Sequence, residues 1–515
     1  MTRFSPLFGC FIFFFSSCQQ ATQHFEILLK DAQIIDGTGE KAYLASLGIN
    51  ADTIAWIGKS SKGLSADQEV DAQGFTLSPG FIDPHTHTLR DLQSSTRNGN
   101  ENYLQQGVTT VVCGNDGGGS YEVARILSEL DSQGIGTNTA LFVGHRPIRR
   151  AILGMQQRPP DAEELQNMQS LVRKGMEEGA LGFSSGLFYT PSSFAKTEEV
   201  IELAKVAGEF GGLYDVHIRD ESSYNIGLLA AIKETIDISR AAQIHANISH
   251  IKALGVEVWG LSEAVIELVE QAQAEGLLIT ADQYPFEASS TSLSAALVPR
   301  WVFADIDDYR ERFDNLELLP RIKEEMAENL RRRGGPEAVL LIAAVDSSLN
   351  GKNLKTIADL RQVSAVEAAI QVLKDGGSAI ASFNMQESDI KNFMKQPWVM
   401  TSSDGGSPHP RKYASFSKKI NYFVLQENVL PLETMIYRSS GMTARVFGIP
   451  KRGLLKVGYF ADMLLFKPEE IKDHATFIEP AQLSTGIYHA WVNGQQVIEA
   501  GTYNGKLAGR SIYRD

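Results

Sequence analysis

Six short apolar runs recur along the chain, and each ends in polar residues. They are FIDPHTH at 81–87, VTTVVCGND at 108–116, LYDVHIR at 213–219, HANISHIK at 245–252, LLITADQY at 277–284 and WVMTSSD at 398–404. An apolar run of this length is typical of a fully buried strand. Segments with helically spaced apolar residues lie between the runs, for example at 162–179 and 262–276. The pattern predicts repeated βα units around a parallel sheet.

The two ends of the chain show a different pattern. Short β-type runs broken by turn residues occupy 25–57, 454–466 and 489–505. Asn493 and Gly494 form the pair that is typical of a two-residue hairpin turn. We therefore predict a (β/α)8 TIM-like barrel with a small β-sandwich domain built from both termini. Two unrelated β extensions are the alternative that the sequence leaves open.

These patterns also predict the domain boundaries. The N-terminal part of the sandwich is expected at 19–78, the barrel at 79–450 and the C-terminal part of the sandwich at 451–515. The segment at 305–335 breaks the rhythm, because it is highly charged and helical in pattern. We interpret it as a helical insertion after a barrel strand, either a lid or a surface excursion.

Length, composition and charge narrow the class of protein. The 515 residues leave room for a barrel of about 250 residues and a second, smaller domain. A composition that is 43% hydrophobic and 21% charged is ordinary for a globular protein. The formal net charge of -14 argues against nucleic acid as a partner, since nucleic-acid-binding domains carry a basic face. It does not exclude an acidic small-molecule substrate, because a site's local charge can oppose the net charge.

The first eighteen residues have the pattern of an export signal. Arg3 precedes an apolar stretch at 7–15 that is too short to span a bilayer. Small residues then lead to Cys18, as in a bacterial lipobox with Phe15 where Leu is more usual. We predict a lipoprotein-type signal peptide at 1–18, lipidation of Cys18, and an exported, membrane-anchored protein that faces the periplasm of a bacterium. A plain secretory signal is the alternative.

Cys113 is the remaining cysteine outside that segment. No disulfide can therefore form within the mature chain, even in an oxidising compartment. Because Cys113 lies inside an apolar run, we expect a buried structural thiol rather than a nucleophile.

The histidines supply the first candidate chemistry. His85 and His87 are two apart at the end of a predicted strand. Alternate side chains of a strand face the same side, so both imidazoles point to one place. His217 and His250 each close another apolar run. Four histidines at strand ends predict a metal site, because imidazole is a common zinc ligand and barrel active sites lie at these ends.

Asp404 ends the last predicted barrel strand. A carboxylate beside a metal site can accept a proton from water and pass it to a leaving group. The alternative is a helix cap, but two glycines follow directly and favour a tight loop. We predict that Asp404 is catalytic and is also one of the metal ligands.

At this point the chain resembles the amidohydrolase superfamily, and within it the D-aminoacylase (N-acyl-D-amino-acid deacylase) family. The matching stretches extend in order over nearly the whole mature chain: SPGFIDPHTH, GVTTVVCGNDG, GALGFSSGLFY, VHIRDES, SHIKALG, DQYPFEASST, SSDGGSPHPRKYASF and HATFIEP. The resemblance implies that His217 and His250 bind zinc tightly and that His85 and His87 belong to a second, weaker metal position. It implies that Asp404 is the general acid and base.

The same resemblance assigns substrate-binding residues. Lys252, Tyr284 and Arg411 match the groups that hold the substrate carboxylate, and Tyr189 and His145 match residues that line the site. The partner expected is a small molecule with a free carboxylate. Mostly small and apolar residues follow Tyr284, which favours neutral or apolar D-residues, although Arg300 could reach the site.

Asp116 departs from the family pattern. The family has a zinc-binding cysteine in GNCG, whereas this chain has Asp116 at that position. A carboxylate can still bind zinc or bridge two metals, but it is a harder ligand than a thiolate. Asp116 is therefore a predicted metal ligand, and the cofactor is Zn²⁺ with a second divalent metal left open.

The function that these residues predict is metal-dependent hydrolysis of the amide bond of N-acyl-D-amino acids by an activated water. Two alternatives stay open. One is an exported dipeptidase of the same fold that cleaves L-Xaa-D-Xaa dipeptides, for which Glu221 or Glu287 would bind the free ammonium group. The other is a non-catalytic lipoprotein that holds no metal.

Overall fold

The computed structural model describes Met1, residues 23–406 and residues 408–514. Apart from Met1, the predicted signal peptide and its Cys18 lie outside these residues. Within the described ranges, no helix is both long enough and apolar enough to span a bilayer.

The strands form three groups. One group belongs to the two chain ends, one to the barrel and one to an insertion. The strands are β1 (His24–Ile34), β2 (Tyr43–Asn50), β3 (Thr53–Gly58), β4 (Ser65–Asp71), β5 (Thr76–Pro79), β6 (Phe81–Thr86), β7 (Val108–Cys113), β8 (Asn138–Leu141), β9 (Val143–Gly144), β10 (Gly182–Gly186), β11 (Leu213–His217), β12 (His245–Ile248), β13 (Ile279–Gln283), β14 (Ala288–Ser292), β15 (Val339–Ala344), β16 (Ser378–Phe383), β17 (Val399–Thr401), β18 (Met463–Phe466), β19 (Ile487–Val492), β20 (Gln495–Glu499) and β21 (Thr502–Tyr503).

Helices fill most of the connections between them. They are α1 (Leu89–Leu92), α2 (Glu101–Leu104), α3 (Val123–Gln133), α4 (His145–Leu153), α5 (Ala162–Glu177), α6 (Thr197–Glu209), α7 (Leu228–Ala242), α8 (Ser262–Ala274), α9 (Leu293–Leu297), α10 (Leu319–Arg332), α11 (Leu354–Arg361), α12 (Ala365–Lys374), α13 (Glu387–Lys395), α14 (Arg411–Lys418), α15 (Leu432–Arg438) and α16 (Gly441–Val446). A π-helical turn, Lys419–Gln426, continues α14.

Eight parallel strand positions close into the predicted barrel. Their order is β6, β7, β8 with β9, β10, β11, β12, β13 and β17. β8 and β9 are two halves of one position, because β8 pairs with β7 and β9 pairs with β10. A parallel bridge between Thr86 and Gly405 joins the last position to the first. The prediction of a (β/α)8 barrel is confirmed.

The burial of the strands explains why their sequences are continuous apolar runs. All residues of β6, β7, β11 and β13 are buried, as expected for a parallel sheet covered by helices on its outer face. The helices α5 and α8 lie where the helical spacing predicted them. α5 begins at a capping box in which Asp161 and Glu164 satisfy each other's backbone N–H groups.

Strands from both chain ends form one nine-stranded sheet. Its order is β21, β20, β19, β18, β5, β1, β2 and β3, with β4 paired to β1. β5 of the N-terminal part and β18 of the C-terminal part are antiparallel neighbours. The two ends are therefore joined by backbone pairing, and the residue boundaries 19–78 and 451–515 stay predictions.

The insertion is larger than the segment predicted at 305–335. It begins at β14 and ends at β16, and its three antiparallel strands have the order β14, β16 and β15. Helices α9 to α12 pack their apolar faces into one separate cluster that includes Leu297, Met326 and Ile357. The charged helix α10 marked the insertion in the sequence, but that helix needs the rest of the unit to cover its apolar face.

A buried polar network joins the terminal sheet to the barrel. Arg452 forms an ion pair with Asp462, and both side chains are almost fully buried. Asp462 also accepts hydrogen bonds from the backbone of Asn493 at 2.7 Å and from Nδ2 of Asn138 in β8 at 3.1 Å. One carboxylate thus connects residues of both parts of the molecule.

We expect Asp462→Ala to lower the free energy of unfolding by about 3–5 kcal/mol, because it leaves the Arg452 charge buried without a partner. Arg510→Gln is the control, since it removes an ion pair with Asp52 in which Arg510 is 46% exposed and should cost less than about 1 kcal/mol. Urea denaturation followed by circular dichroism measures both. Equal, small losses for the two variants would show that the network does not hold the parts together.

Candidate metal centre and substrate cavity

The predicted metal ligands lie together at the carboxyl ends of the barrel strands. His85 is in β6, His217 ends β11, and Asp116, His250 and Asp404 lie in the turns after β7, β12 and β17. His87 follows β6 directly. Asp116, His250 and Asp404 have positive φ angles of 55°, 38° and 47°. Such left-handed backbone is uncommon outside glycine and often accompanies functional sites.

Asp116 lies at the centre of this arrangement. Its Oδ1 atom is 3.2 Å from Nε2 of His250, 3.6 Å from Nδ1 of His217 and 3.4 Å from Nε2 of His85. Its Oδ2 atom is 3.4 Å from Nε2 of His87. Two groups of potential ligands result, one with His217 and His250 and one with His85, His87 and Asp404, and both contain Asp116.

These separations fit a metal ion. Tetrahedral zinc binds histidine nitrogen and carboxylate oxygen at about 2.0–2.1 Å, which places neighbouring ligand atoms about 3.3 Å apart. The N···O separations around Asp116 are 3.2 to 3.6 Å. Both ring nitrogens of His85 are buried without a hydrogen-bond partner among the described residues. A buried polar atom without a partner is costly, so an ion at this place would satisfy it.

Burial and neighbouring charges shift the pKa of most of the candidate metal ligands. Burial by itself raises the pKa of Asp116, but His85, His250 and His217 outweigh it and hold the pKa well below its usual range. Burial lowers the pKa of His85, and its neighbouring histidines add to that effect. Asp116 is thus ionised and His85 neutral, and these are the forms that bind metal. Burial by itself lowers the pKa of His87 and of His250, but the neighbouring carboxylates outweigh it and raise these pKa values to about 9 and about 10. These two imidazoles would therefore lose a proton when a metal ion binds.

Asp404 lies between the second group of ligands and a cation. Its Oδ1 atom is 3.2 Å from Nε2 of His87, and its Oδ2 atom is 2.8 Å from Nη1 of Arg411. Burial alone raises the pKa of this carboxyl, but Arg411 and the nearby histidines lower it strongly overall. Asp404 is therefore ionised where it faces the candidate metal ligands.

The three predicted carboxylate-binding groups converge, and two of them already face a carboxylate of the protein, Lys252 that of Glu221 and Arg411 that of Asp404. The guanidinium of Arg411 lies 4.7 Å from the centre of the Tyr284 ring, and Nζ of Lys252 lies 5.5 Å from it. Nζ of Lys252 also donates to Oε1 of Glu221 at 2.6 Å and lies 2.6 Å from Nδ1 of His250. The dipeptidase alternative assigned Glu221 to the ammonium group of the substrate. In the structure, the charge of Glu221 is neutralised by Lys252.

Tyr189 and His145 have different environments. The Tyr189 ring lies 4.8 Å from the His217 ring and lines the cavity. His145 is fully buried, and its Nε2 atom contacts Oε1 of Glu199 at 2.9 Å. The prediction that His145 lines the site was wrong. His145 begins α4 with its ring turned into the core, and the following residue, Arg146, lines the cavity instead.

A cavity of about 550 Å³ extends from the metal ligands to the insertion. Its wall includes Asp404 and Lys252 at one end and Ser289, Tyr309 and Val345 of the insertion at the other. A cavity of this size suits a small organic molecule. The insertion therefore forms part of the cavity wall, which the sequence pattern alone did not establish.

Several lining residues were not found from the sequence. Tyr224 and Arg333 line the cavity, but neither stands at the end of an apolar run. Arg333 belongs to a run of three arginines that reads as a solvated helix end. Proximity in the folded chain, rather than a local pattern, brings them to the site.

Buried carboxyl groups lie beneath the metal ligands. Oδ1 of Asp282 accepts a hydrogen bond from the backbone N–H of His250 at 3.0 Å. Asn247 donates to both Asp282 and Asp215. Burial, together with the charge of Asp282, raises the pKa of Asp215 to about 7. This network fixes the backbone and side chains on which the metal ligands rest.

Comparison with known proteins agrees with this site. A sequence model of the amidohydrolase family matches residues 314–498. The chain is 32% identical over 523 residues to D-aminoacylase from Alcaligenes xylosoxydans xylosoxydans, which covers 96% of this chain and 99% of that protein.

Solved structures give the same result. A crystal structure of D-aminoacylase has a TM-score of 0.82 and 30% identity, covering 95% of this chain and 100% of that one. N-acyl-D-glutamate deacylase from Bordetella bronchiseptica, solved with zinc and a phosphonate mimic of the tetrahedral intermediate, has the same TM-score of 0.82, 30% identity and coverage of 95% and 100%. The chain belongs to the amidohydrolase family, and within it to the D-aminoacylases.

Proposed function

We propose that this protein is a zinc-dependent hydrolase that removes the acyl group from N-acyl-D-amino acids. The observation that carries the proposal is the position of Asp404, with one carboxylate oxygen 3.2 Å from His87 and the other 2.8 Å from Arg411. One carboxylate thus faces both the metal ligands and a group able to bind a substrate acid. The family relationship supports the same activity.

His217, His250 and Asp116 would hold one zinc ion, and His85 and His87 with Asp116 and Asp404 would hold a second. Zinc bound there supplies a Lewis acid that polarises the amide carbonyl and lowers the pKa of water. Asp404 accepts the proton of the attacking water and returns it to the amine nitrogen as the C–N bond breaks. The products are a carboxylic acid and a free amino acid, so no further reactant is needed.

Arg411 and Tyr284 hold the substrate carboxylate. Both are almost fully buried, and a guanidinium forms strong, directional hydrogen bonds with a carboxylate. Lys252 lies at the same end of the cavity, and its contacts with Glu221 and with Nδ1 of His250 hold the His250 ring in place. Fixing the carboxylate relative to the metal ligands fixes the configuration of the substrate carbon between them.

The dipeptidase alternative needs an unpaired carboxylate for the substrate ammonium group. Glu221 lines the cavity but already pairs with Lys252 at 2.6 Å. Glu287 is 53% exposed and contacts Lys418. Neither residue favours dipeptides. The alternative of a protein that holds no metal is opposed by the ligand geometry around Asp116.

We expect the purified mature chain, residues 19–515, to bind zinc and to release amine from N-acetyl-D-amino acids but not from their L-enantiomers. L-Xaa-D-Xaa dipeptides should be poor substrates, because Glu221 is paired. Amine release over this panel, with metals counted by mass spectrometry, measures both. Faster amine release from the dipeptides would show that the protein is a dipeptidase rather than a deacylase. Bound zinc without hydrolysis of either the N-acetyl amino acids or the dipeptides would refute the proposed substrate class.

Asp404→Asn should reduce kcat by about 10²- to 10⁴-fold, because an amide cannot accept the proton of water. Asparagine keeps the size of the side chain and tolerates the left-handed backbone at this position. At least one zinc ion per chain should remain bound, since His217, His250 and Asp116 are unchanged. Near-normal turnover with normal zinc would contradict the role of Asp404.

We also propose, from the sequence, that residues 1–18 direct export and that Cys18 is lipidated, which anchors the enzyme to a bacterial membrane facing the periplasm. The support is the order of Arg3, the apolar stretch at 7–15 and small residues before Cys18.

When the full chain is expressed in a bacterium, it should enter the detergent phase of a phase partition, and Cys18→Ala should prevent this. Mass spectrometry of the N-terminal peptide identifies the lipid. A wild-type chain that is cleaved but carries no lipid would leave the plain secretory signal as the correct interpretation.

A further inference from the structure

Glu221 lies on the outer side of the two histidines that belong to the first group of potential metal ligands. It follows β11, in the loop at 218–227, and is 7% exposed. Its Oε1 atom is 3.1 Å from Nδ1 of His250, and its Oε2 atom is 3.9 Å from Nε2 of His217. One carboxylate thus faces both imidazole rings, with one oxygen turned toward each.

The opposite nitrogen of each ring faces Asp116. Nε2 of His250 lies 3.2 Å from Oδ1 of Asp116, and Nδ1 of His217 lies 3.6 Å from it. Nε2 of His217 is buried and has no hydrogen-bond partner among the described residues. When a neutral imidazole binds a metal ion through one nitrogen, the other nitrogen carries a proton and needs an acceptor. Glu221 supplies a carboxylate oxygen beside each of these outer nitrogens.

The loop that carries Glu221 is fixed by its own hydrogen bonds. Oδ2 of the fully buried Asp220 accepts from the backbone N–H groups of Asn225 at 2.6 Å and of Gly227 at 3.0 Å. The backbone carbonyl of Glu221 accepts from the N–H of Leu254 at 2.9 Å. These contacts fix the backbone from which the Glu221 side chain reaches the two rings.

Lys252 contacts the same carboxylate and suggests a different role for it. Nζ of Lys252 donates to Oε1 of Glu221 at 2.6 Å and lies 2.6 Å from Nδ1 of His250. Glu221 could therefore be a counter-ion for Lys252 alone. That role accounts for Oε1, but it does not account for Oε2, which is turned toward the partnerless nitrogen of His217.

We propose that Glu221 is a positioning residue for zinc, which accepts hydrogen bonds from the outer nitrogens of both His250 and His217. The contact with His250 already has hydrogen-bond length, and a shift of about 1 Å would complete the contact with His217. Such a carboxylate fixes which nitrogen of each ring is left for the metal and makes both ligands more basic. This inference rests on the proposed function, because zinc is the ion that the function requires there.

The test measures the affinity of the mature chain, residues 19–515, for its tighter zinc ion by competition with a chelator. Glu221→Gln keeps the size of the side chain and removes its charge, so it should weaken zinc binding by about 10- to 100-fold. Glu257→Gln is the matched control, since Glu257 lies in the loop after β12 and pairs with Arg331, which is 54% exposed. It should bind zinc as the wild type does. Unchanged zinc affinity in Glu221→Gln would overturn the proposal.

A double variant separates the effect on the two rings from the effect on Lys252. Glu221→Gln alone leaves the charge of Lys252 buried without its partner, which can destabilise the fold. Glu221→Gln combined with Lys252→Met removes both charges, and it should still bind zinc at least about tenfold more weakly than Lys252→Met alone. Equal zinc affinities for these two proteins would show that Glu221 is only the counter-ion of Lys252, which contradicts the proposal.

Cobalt provides a readout that a purely structural role would not change. The visible absorption bands of protein-bound Co²⁺ depend on the geometry and basicity of its ligands. In fully loaded proteins, Glu221→Gln should therefore shift these bands, whereas Glu257→Gln should leave them as in the wild type. Identical spectra for all three proteins would contradict a role of Glu221 in orienting the zinc ligands.

These measurements distinguish failure of the inference from failure of the proposed function. If the wild type binds zinc but hydrolyses no N-acyl-D-amino acid, the function fails, and the effect of Glu221 on zinc affinity is still measured. If the wild type is active but its zinc affinity does not depend on Glu221, only the inference fails. A wild-type chain that binds no zinc would refute both.

Discussion

The carboxylate of Asp116 contacts nitrogen atoms of four histidines, at 3.2 to 3.6 Å, and these histidines come from three different barrel strands and their turns. Without that negative charge, four imidazoles would face one another in a buried space and their protonated forms would repel. The carboxylate therefore offsets the positive charge of the protonated imidazoles where the strand ends meet. It also belongs to both groups of potential metal ligands, so the two groups are not independent.

The barrel and the insertion contribute different parts of the site. The barrel supplies the candidate metal ligands and the proposed proton acceptor, Asp404, and their positions follow from strand ends that closure of the barrel fixes. The insertion supplies the far wall of the cavity, including Tyr309 and Val345. Its helices pack into a separate apolar cluster, so the core of the insertion does not include the candidate metal ligands.

The sequence predicted the parts of this structure that depend on local pattern. His85, His217 and Asp404 could be found because apolar runs mark buried strands and the functional residues follow at their ends. Arg333 could not be found, since its position depends on how the insertion folds back over the barrel. His145 was misassigned because its place at a strand end predicts where its backbone lies but not the direction of its side chain. His145 is also the first residue of α4, and its ring is buried in the core.

The pairing of β5 with β18 has a consequence for how the chain folds. The pairing joins Thr76–Pro79 to Met463–Phe466. Nearly the whole barrel is therefore synthesised after β5 and before β18, although these two strands are neighbours in one sheet. Contacts of such sequence separation form late and slow folding. Until the last strands arrive, β5 presents an unpaired edge, which is a site for aggregation. A nascent chain, or one shortened at its C-terminus, is therefore most prone to aggregate at its first sheet. The strand that would cover the open edge belongs to the missing C-terminal residues.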